Sequence, residues 1–175
     1  MQTTNCEASF REVGIMADSP ADVVTITAAP TGLPNPVPAG ALVLGCDSIF
    51  EVDGVRLGKP PDAAEALRRW QRMRGASGTL HTGHWLIDTA TGESTGETVS
   101  TIVDMVDAPD DEIAAYIATG EPLHVAGGFT LDDLGAPFVA GVRGDPGNVI
   151  GVSLPALRRL AGDLGHPWPK VMGWS

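Results

Sequence analysis

The chain has 175 residues, of which 43% are apolar and 19% are charged, and its net charge is −11. This length predicts one domain, and the apolar fraction is sufficient for a sizeable core. The acidic balance argues against nucleic-acid binding, which requires a basic surface. It permits a small anionic substrate, because a local cation can reverse the field inside a cleft.

Membrane insertion is not expected, because no apolar run reaches the length that spans a bilayer and the N-terminus lacks a signal-peptide pattern. The two cysteines, Cys6 and Cys46, have neither a disulfide-framework nor a metal-binding spacing. We therefore expect a reduced, cytoplasmic protein.

A proline-rich stretch at 30–40 cannot form a regular element and separates residues 1–40 from residues 41–175. We interpret 1–40 as an N-terminal segment with a loop, and 41–175 as the body of a single domain.

The pattern of residues 41–175 predicts alternating strands and helices. Asp53 and Gly54 predict a tight turn after the first strand, and Asp62 with Glu65 predicts a capping box at the start of the first helix. In chain order we expect two short strands or one bent strand at 41–52, a helix at 63–74, a strand that runs into a turn at 78–92, a second strand at 97–108, a helix at 109–120, an irregular glycine-rich stretch at 122–136, a strand at 137–144 and a helix at 153–165. This order indicates an α/β protein with a central mixed sheet flanked by helices.

Asp47 is the first chemically suggestive residue, because it directly follows the apolar run of a buried strand. Ligands bind beyond the carboxyl ends of strands in open α/β sheets, so Asp47 could activate a water molecule or hold a cation. The same residue could equally cap the strand end through an Asx-turn.

Lys59 is the second chemically suggestive residue, because it lies between Gly58 and Pro60 in a loop that should be stiff. A preorganised lysine suits a phosphate group as a point charge. A solvated loop lysine fits the pattern as well.

The stretch AGGFTLDDLGA at 126–136 is the third candidate. Its glycines allow close approach of the backbone, and Asp132 and Asp133 supply two carboxylates. A glycine-rich turn with two solvated acids is the alternative. In GDPGNVIG, at 144–151, Asn148 could bind a ligand or shape the turn.

The order and spacing of these motifs resemble the Maf family of nucleoside triphosphate pyrophosphatases. The resemblance covers residues 41–165 and rests on GCDS, LGKP, DEIAAYIATGEPL, AGGFTLDDLGA and GDPGNVIGVSLPAL in that order. It implies an elongated α/β fold with a cleft, similar to inosine triphosphatases. It also implies hydrolysis of a normal or modified nucleoside triphosphate to the monophosphate and pyrophosphate, with a divalent cation, Mg²⁺ or Mn²⁺.

Four residues receive roles from this resemblance. Asp47 would be the proton acceptor and a metal ligand, and Lys59 would contact the phosphates. Ser48 and Asp132 fall at positions linked to substrate choice, where many members have Thr and Gln. An ionised carboxylate only accepts hydrogen bonds, whereas an amide also donates, so the preferred base should differ from that of dTTP- or UTP-cleaving members.

The N-terminal part departs from the family pattern. Family members begin with a strand and an SxSPRR-like turn that binds the triphosphate, and residues 1–40 contain no such sequence. We therefore expect a truncated or divergent N-terminus. The alternative function is a catalytically impaired protein that binds nucleotides or acts in inhibition of septum formation. A homodimer is a further expectation, since a missing first strand would expose a sheet edge.

Overall fold

The structure, a computed structural model, describes residues 13–15, 23–25 and 40–174. In these ranges seven strands, β1 to β7 in chain order, form one sheet: Val13–Ile15, Val23–Thr25, Leu42–Val52, Val55–Leu57, Ser77–Asp88, Ser94–Met105 and Val139–Arg143. The helices α1 to α5 are Ala63–Met73, Asp110–Ala118, Pro146–Ile150, Leu154–Asp163 and Trp168–Val171. Short 3₁₀ turns occupy Glu121–His124, Ala126–Gly128 and Ala136–Phe138. None of the helices in the described ranges has the length and apolar character needed to cross a bilayer.

The sheet is mixed, as the sequence predicts. Its order is β1-β2-β3-β5-β6-β7, and β4 pairs with β3. β2 runs parallel to β3, with Val23 opposite Leu42, whereas β1 and β4 run antiparallel to β3 and β7 runs antiparallel to β6. The predicted α/β class with a helix-flanked sheet is therefore confirmed.

Local sequence signals account for the first elements of the body. β3 and β4 form the predicted tight hairpin, in which Val52 pairs with Val55 across Asp53 and Gly54. Both turn residues have positive φ, of 50° and 74°, which Asp and Gly tolerate better than other residues. α1 begins as expected, because the Glu65 amide donates to the Asp62 carboxylate at 2.8 Å.

The chain divides into two compact units. Of the described residues, the first unit contains 13–15, 23–25, 40–47, 83–98 and 154–174, and the second contains 48–82 and 99–153. The long strands β3, β5 and β6 each contribute residues to both units. The boundary predicted at residue 40 stays a prediction, since most of the residues before it lie outside the described ranges.

The core of the second unit is aromatic. The fully buried Trp70 of α1 meets Tyr116 of α2 and Phe138 edge-on, with ring centroids 5.5 and 5.3 Å apart. Phe50 of β3 meets Phe129 in the same manner at 5.0 Å. These edge-to-face contacts hold α1, α2 and the chain after Gly128 in fixed positions.

The first unit contains a buried carboxylate that is hydrogen-bonded to a histidine. Asp88, at the end of β5, is only 3% exposed and accepts hydrogen bonds from His166 Nε2 at 2.9 Å and from the Ala90 amide at 2.7 Å. The hydrogen bond from His166 holds the pKa of Asp88 below its usual value, although burial opposes this shift.

Asp88→Asn is expected to lower the free energy of unfolding by about 1–3 kcal/mol at neutral pH. The folded-state pKa of Asp88 lies below the unfolded-state pKa of about 3.9, so ionised Asp88 stabilises the fold above that pH. This contribution is lost as pH falls through the folded-state pKa. The difference between variant and wild type in urea unfolding should therefore shrink in acid.

The exposed Asp163 of the same unit provides the control, and Asp163→Asn should change stability by less than about 0.5 kcal/mol. An Asp88→Asn deficit of the same size at pH 3 and pH 7 would contradict the proposed ionic contribution.

Candidate active site

Asp47 is exposed and lies in the middle of β3, which continues beyond it to Val52. The prediction that a strand ends at Asp47 is therefore wrong. What ends before Asp47 is the fully buried part of the chain, residues 41–45, and not the strand itself. The strand continues because its second half pairs with β4 as an antiparallel hairpin. The rule about the carboxyl ends of parallel strands consequently does not explain the position of Asp47.

Ser48 follows Asp47 and shares its face of β3 with the buried Phe50 and Val52, because side chains alternate along a strand. Its hydroxyl lies 2.8 Å from the hydroxyl of Thr82 in β5. Thr82 is fully buried and donates to the backbone carbonyl of Asn148 at 3.1 Å. The half-buried Ser48 is thus joined to α3 through two hydrogen bonds inside the second unit.

Asn148 has a structural role in the described residues. It is fully buried, and its amide nitrogen lies within hydrogen-bond distance of Leu80 O, Val99 O and Thr101 Oγ1, at 3.4, 3.2 and 3.1 Å. These acceptors belong to β5 and β6, so the side chain fastens α3 to the sheet. Of the two interpretations from the sequence, shaping of the turn is the one that these contacts support.

Lys59 is exposed on the loop after β4, and the loop itself is held firmly. The loop follows Leu57, the last residue of β4. Leu57 pairs with Phe50, which lies two residues after Ser48 on β3. The guanidinium of Arg69 in α1 donates to the Gly58 carbonyl at 2.8 Å, and Pro60 is buried. The stiffness expected from the sequence therefore has a physical source on both sides of the lysine.

Arg69→Lys is expected to lower the free energy of unfolding by about 1–3 kcal/mol in a chemical denaturation experiment. Arg69 is 17% exposed and also donates to Glu65 at 2.8 Å, and a lysine cannot span Glu65 and Gly58 together.

Arg68→Lys is the matched control. Arg68 binds the other oxygen of Glu65 at 2.7 Å but is 65% exposed, so its replacement should cost less than about 0.5 kcal/mol. Equal losses for the two variants would show that the Gly58 contact contributes nothing.

The turn Ala126–Gly128 packs against both the Ser48 strand and the Lys59 loop. Gly127 and Gly128 have φ of 72° and 74°. A Cβ atom on Gly127 would lie 2.8 Å from the Phe50 Cβ, and one on Gly128 would lie 3.3 Å from the Pro60 Cγ. The indole nitrogen of Trp70 donates to the Gly128 carbonyl at 2.9 Å. Glycine is thus required where three segments meet closely.

Asp132 is exposed on a loop that Glu121 closes. The Glu121 carboxylate accepts hydrogen bonds from the hydroxyls of Tyr116 and Thr130, at 2.7 and 2.5 Å, and from the amides of Leu134 and Gly135, at 3.2 and 3.1 Å. Residues 131–133 form the part of the chain between these anchoring points.

The electrostatics of this cluster agree with its geometry. Burial alone would raise the pKa of Glu121, but the hydrogen bonds from Thr130 and Tyr116 and from the two backbone amides outweigh burial and lower it. Burial, together with the Glu121 carboxylate, raises the pKa of Tyr116. Glu121 is therefore ionised and Tyr116 is protonated at neutral pH, which keeps the loop of Asp132 closed.

The second unit thus brings together the segments that carry Ser48, Lys59 and Asp132. The strand of Ser48 contacts the glycine turn through Phe50, the loop of Lys59 contacts it through Pro60, and the turn leads through Phe129 into the loop of Asp132. Asp47 belongs to the first unit, because the division between the two units falls between Asp47 and Ser48 on β3. A common pocket of Asp47 and Lys59, with Asp132 at its rim, stays a prediction.

Three residues with positioning contacts were missed by sequence reasoning: Thr82, Arg69 and Glu121. Thr82 had a detectable signal, since a polar residue at a buried position of an alternating strand needs a buried partner. Arg69 had a weaker signal, its spacing of four from Glu65. Glu121 had no local signal, because its partners lie up to 14 residues further along the chain.

No group of three or more His, Cys, Asp or Glu side chains that could hold a metal ion occurs among the residues described. A magnesium ion does not require such a group, because it is commonly held by one or two carboxylates together with substrate phosphates. The exposed carboxylate of Asp47 is a hard oxygen ligand of the type that this binding mode uses.

The fold and site define an α/β protein in which a stiff lysine loop, a glycine turn and a carboxylate loop pack beside one strand. Residues 5–164 match the family model described as Maf-like protein. The chain belongs to the Maf-like family.

Curated relatives support this membership. A protein of Streptomyces coelicolor named nucleoside triphosphate pyrophosphatase is 54% identical over 157 residues, which are 88% of this chain and 76% of that protein. A protein of Streptomyces avermitilis with the same name is 52% identical over 161 residues, 90% of this chain and 78% of that protein. A third, from Thermosynechococcus vestitus, is 47% identical over 165 residues, 93% and 83% of the two chains.

The family recognised from the motifs is therefore confirmed. The family match begins at residue 5, well before residue 41, where the motif resemblance starts. Truncation or divergence of residues 1–40 stays a prediction.

Proposed function

We propose that this chain hydrolyses a nucleoside triphosphate, normal or modified, to the nucleoside monophosphate and pyrophosphate. Its family and the names of its relatives support this activity. The observation that carries the proposal is the packing of the Gly127–Gly128 turn against Phe50 and Pro60. This contact brings the strand of Ser48, the loop of Lys59 and the glycine turn that leads to Asp132 together within the second unit.

In the proposed reaction, Asp47 accepts a proton from the attacking water molecule. The water oxygen forms a new bond to phosphorus, and the anhydride bond between the α- and β-phosphates breaks. Lys59 stabilises the negative charge that develops on the phosphate oxygens. The contacts of Gly58 and Pro60 support this role, since a preorganised cation loses little conformational entropy when it binds.

A divalent cation, Mg²⁺ or Mn²⁺, completes the proposal. Asp47 would hold it together with the substrate phosphates, and the ion would supply charge neutralisation there. Ser48 and Asp132 would contact the part of the nucleotide that determines selectivity. We further propose a cytoplasmic location, with the nucleotide as ligand and no nucleic-acid partner, in keeping with the net charge of −11.

The direct test is pyrophosphate release from a panel of normal and methylated nucleoside triphosphates with Mg²⁺ or Mn²⁺. We expect at least one nucleotide to give equal amounts of monophosphate and pyrophosphate. Absence of product from every nucleotide, in a preparation with a cooperative thermal melt, would refute the activity. Calorimetry would then separate a catalytically impaired nucleotide-binding protein from one that binds no nucleotide. Light scattering would test for a homodimer.

A further inference from the structure

Glu121 connects helix α2 to the loop of residues 130–135. Its carboxylate receives four hydrogen bonds, one from the hydroxyl of Tyr116 in α2 and three from this loop. Tyr116 is itself held by the core, since its ring stacks on Phe138 at 5.1 Å and meets Trp70 edge-on. Glu121 therefore fixes the position of the loop relative to the aromatic core of the second unit.

The backbone of Glu121 is fixed as well. Its amide donates to the Thr119 hydroxyl at 3.3 Å, and that hydroxyl donates to the Tyr116 carbonyl at 2.6 Å. Gly120, with a φ of 83°, turns the chain after α2, and Pro122 is buried on the other side of Glu121. The side chain thus starts from a well-defined position, which a group that orients another segment requires.

The two ends of the loop 130–135 lie against each other. The Gly135 amide donates to the Thr130 hydroxyl at 3.0 Å as well as to Glu121 at 3.1 Å. A Cβ atom on Gly135 would lie 2.5 Å from the Thr130 nitrogen, so no larger residue fits there. The exposed Asp132 lies on the arc between these ends. The position of its carboxylate consequently depends on the closure that Glu121 maintains.

We infer that Glu121 is a positioning residue for nucleotide selectivity, and that it acts through the loop on Asp132. This inference rests on the proposed function, in which Asp132 contacts the part of the nucleotide that determines selectivity. It adds the residue that keeps this contact in place. A carboxylate accepts hydrogen bonds, so the substrate group that Asp132 meets is a donor, either an amino or imino group of the base or a hydroxyl of the sugar.

The four donors around Glu121 distinguish a carboxylate from an amide at this position. Oε1 accepts from two hydroxyls and from the Gly135 amide, whereas Oε2 accepts from the Leu134 amide. Glutamine has one oxygen only, so its NH₂ group would face either the Leu134 N–H or the other three donors. Glu121→Gln therefore opens the closure on one side, although the side chain keeps nearly the same size and shape.

Matched nucleotide pairs measure the selectivity. GTP and ITP differ in one base amino group, CTP has an amino group where UTP has a carbonyl, and each ribonucleotide differs from its 2′-deoxy form in one hydroxyl. We expect the wild-type kcat/KM values of at least one pair to differ by about tenfold or more. In Asp132→Ala this ratio should fall to about threefold or less. The pair that responds identifies the donor as base or sugar.

Glu121→Gln is the decisive variant. The ratio of the responsive pair should shrink to about threefold or less, because the arc no longer holds the Asp132 carboxylate in place. In the double variant with Asp132→Ala the ratio should equal that of Asp132→Ala alone, since Glu121 acts on selectivity through Asp132. A merely structural role of Glu121 predicts instead an equal loss of kcat/KM for both members of every pair.

Thr130→Val and Thr130→Ser provide a matched pair on the loop itself, and they replace Glu121→Gln if that variant lacks a cooperative thermal melt. Valine removes the hydroxyl that joins Glu121 to Gly135, so the ratio of the responsive pair should again shrink. Serine keeps the hydroxyl and should preserve the wild-type ratio.

Three results would overturn the inference and leave the pyrophosphatase proposal intact: a wild type that cleaves both members of every pair equally well, a wild-type ratio in Glu121→Gln or Thr130→Val, and an equal loss for both members of every pair. The same pairs measured as α,β-methylene analogues by calorimetry make the test independent of turnover. Discrimination in binding that Glu121→Gln reduces, without cleavage, would refute the pyrophosphatase proposal and support the role of Glu121. Absence of both binding and cleavage would overturn both.

Discussion

Asp47→Asn is expected to lower kcat by about 10²- to 10⁴-fold while leaving the thermal melt unchanged. Asparagine has nearly the same shape as aspartate but cannot accept the proton of an attacking water molecule at neutral pH. Asp47 is exposed on β3, so the substitution should change the free energy of unfolding by less than about 0.5 kcal/mol. The measurement is pyrophosphate release under saturating substrate, together with a thermal melt of each protein.

Glu51→Gln is the matched control for the loss of one negative charge from the same strand. Glu51 lies on the same face of β3 as Asp47, and it forms only a loose ion pair with Arg56 at 3.6 Å. Its amide variant should keep kcat within about twofold of wild type, since the pair lies at the surface. Full turnover in Asp47→Asn would remove Asp47 from its proposed role, and an equal loss in both variants would indicate a general effect of charge.

The sequence predicts the regular elements well where their signals are local. The start of α1 depends on a contact between Asp62 and an amide three residues later, and the hairpin depends on two adjacent turn residues. The other contact of the predicted capping box, from the Glu65 side chain back to the Asp62 amide, does not form, because the Glu65 carboxylate has other partners. Its carboxylate binds the guanidinium groups of Arg68 and Arg69, which the sequence pattern did not include as competitors.

The sequence motifs of the candidate site could be predicted, but the positions that their residues take in the fold could not all be predicted. Lys59 was correctly placed on a loop, and Arg69 holds that loop through the carbonyl of Gly58. Asp47 was misplaced at a strand end, because a change from apolar to mixed residues within β3 resembles the end of a strand. The true reason for the change is the hairpin partner β4, which covers only the second half of β3.

Buried polar contacts were the least predictable part of the site. The hydroxyl of Thr82 meets Ser48 at a separation of 34 residues and the carbonyl of Asn148 at 66. No local pattern encodes such pairs, because they depend on the register of the sheet and on the docking of α3. The sequence shows only that polar residues occupy buried positions of β5, which is a reason to look for partners.

Gly127→Ala is expected to lower the free energy of unfolding by about 2–5 kcal/mol, a large fraction of the stability of an ordinary domain. Alanine is strained by about 1–2 kcal/mol at the observed φ of 72°. Its Cβ would also lie 2.8 Å from the Phe50 Cβ and 3.0 Å from the Phe129 ring, which adds about 1–3 kcal/mol of overpacking. Urea unfolding measures the loss, and turnover should fall as the turn is pushed away from β3.

Gly54→Ala separates the two contributions. Gly54 has a φ of 74°, nearly the same as Gly127, but a Cβ atom there would meet nothing within 4 Å. This control should therefore show only the backbone strain, about 1–2 kcal/mol. If the two variants lose equal stability, the turn does not pack tightly on Phe50. The contact that gathers the motifs beside β3 would then be absent, and the main structural support for the proposed active site would be lost.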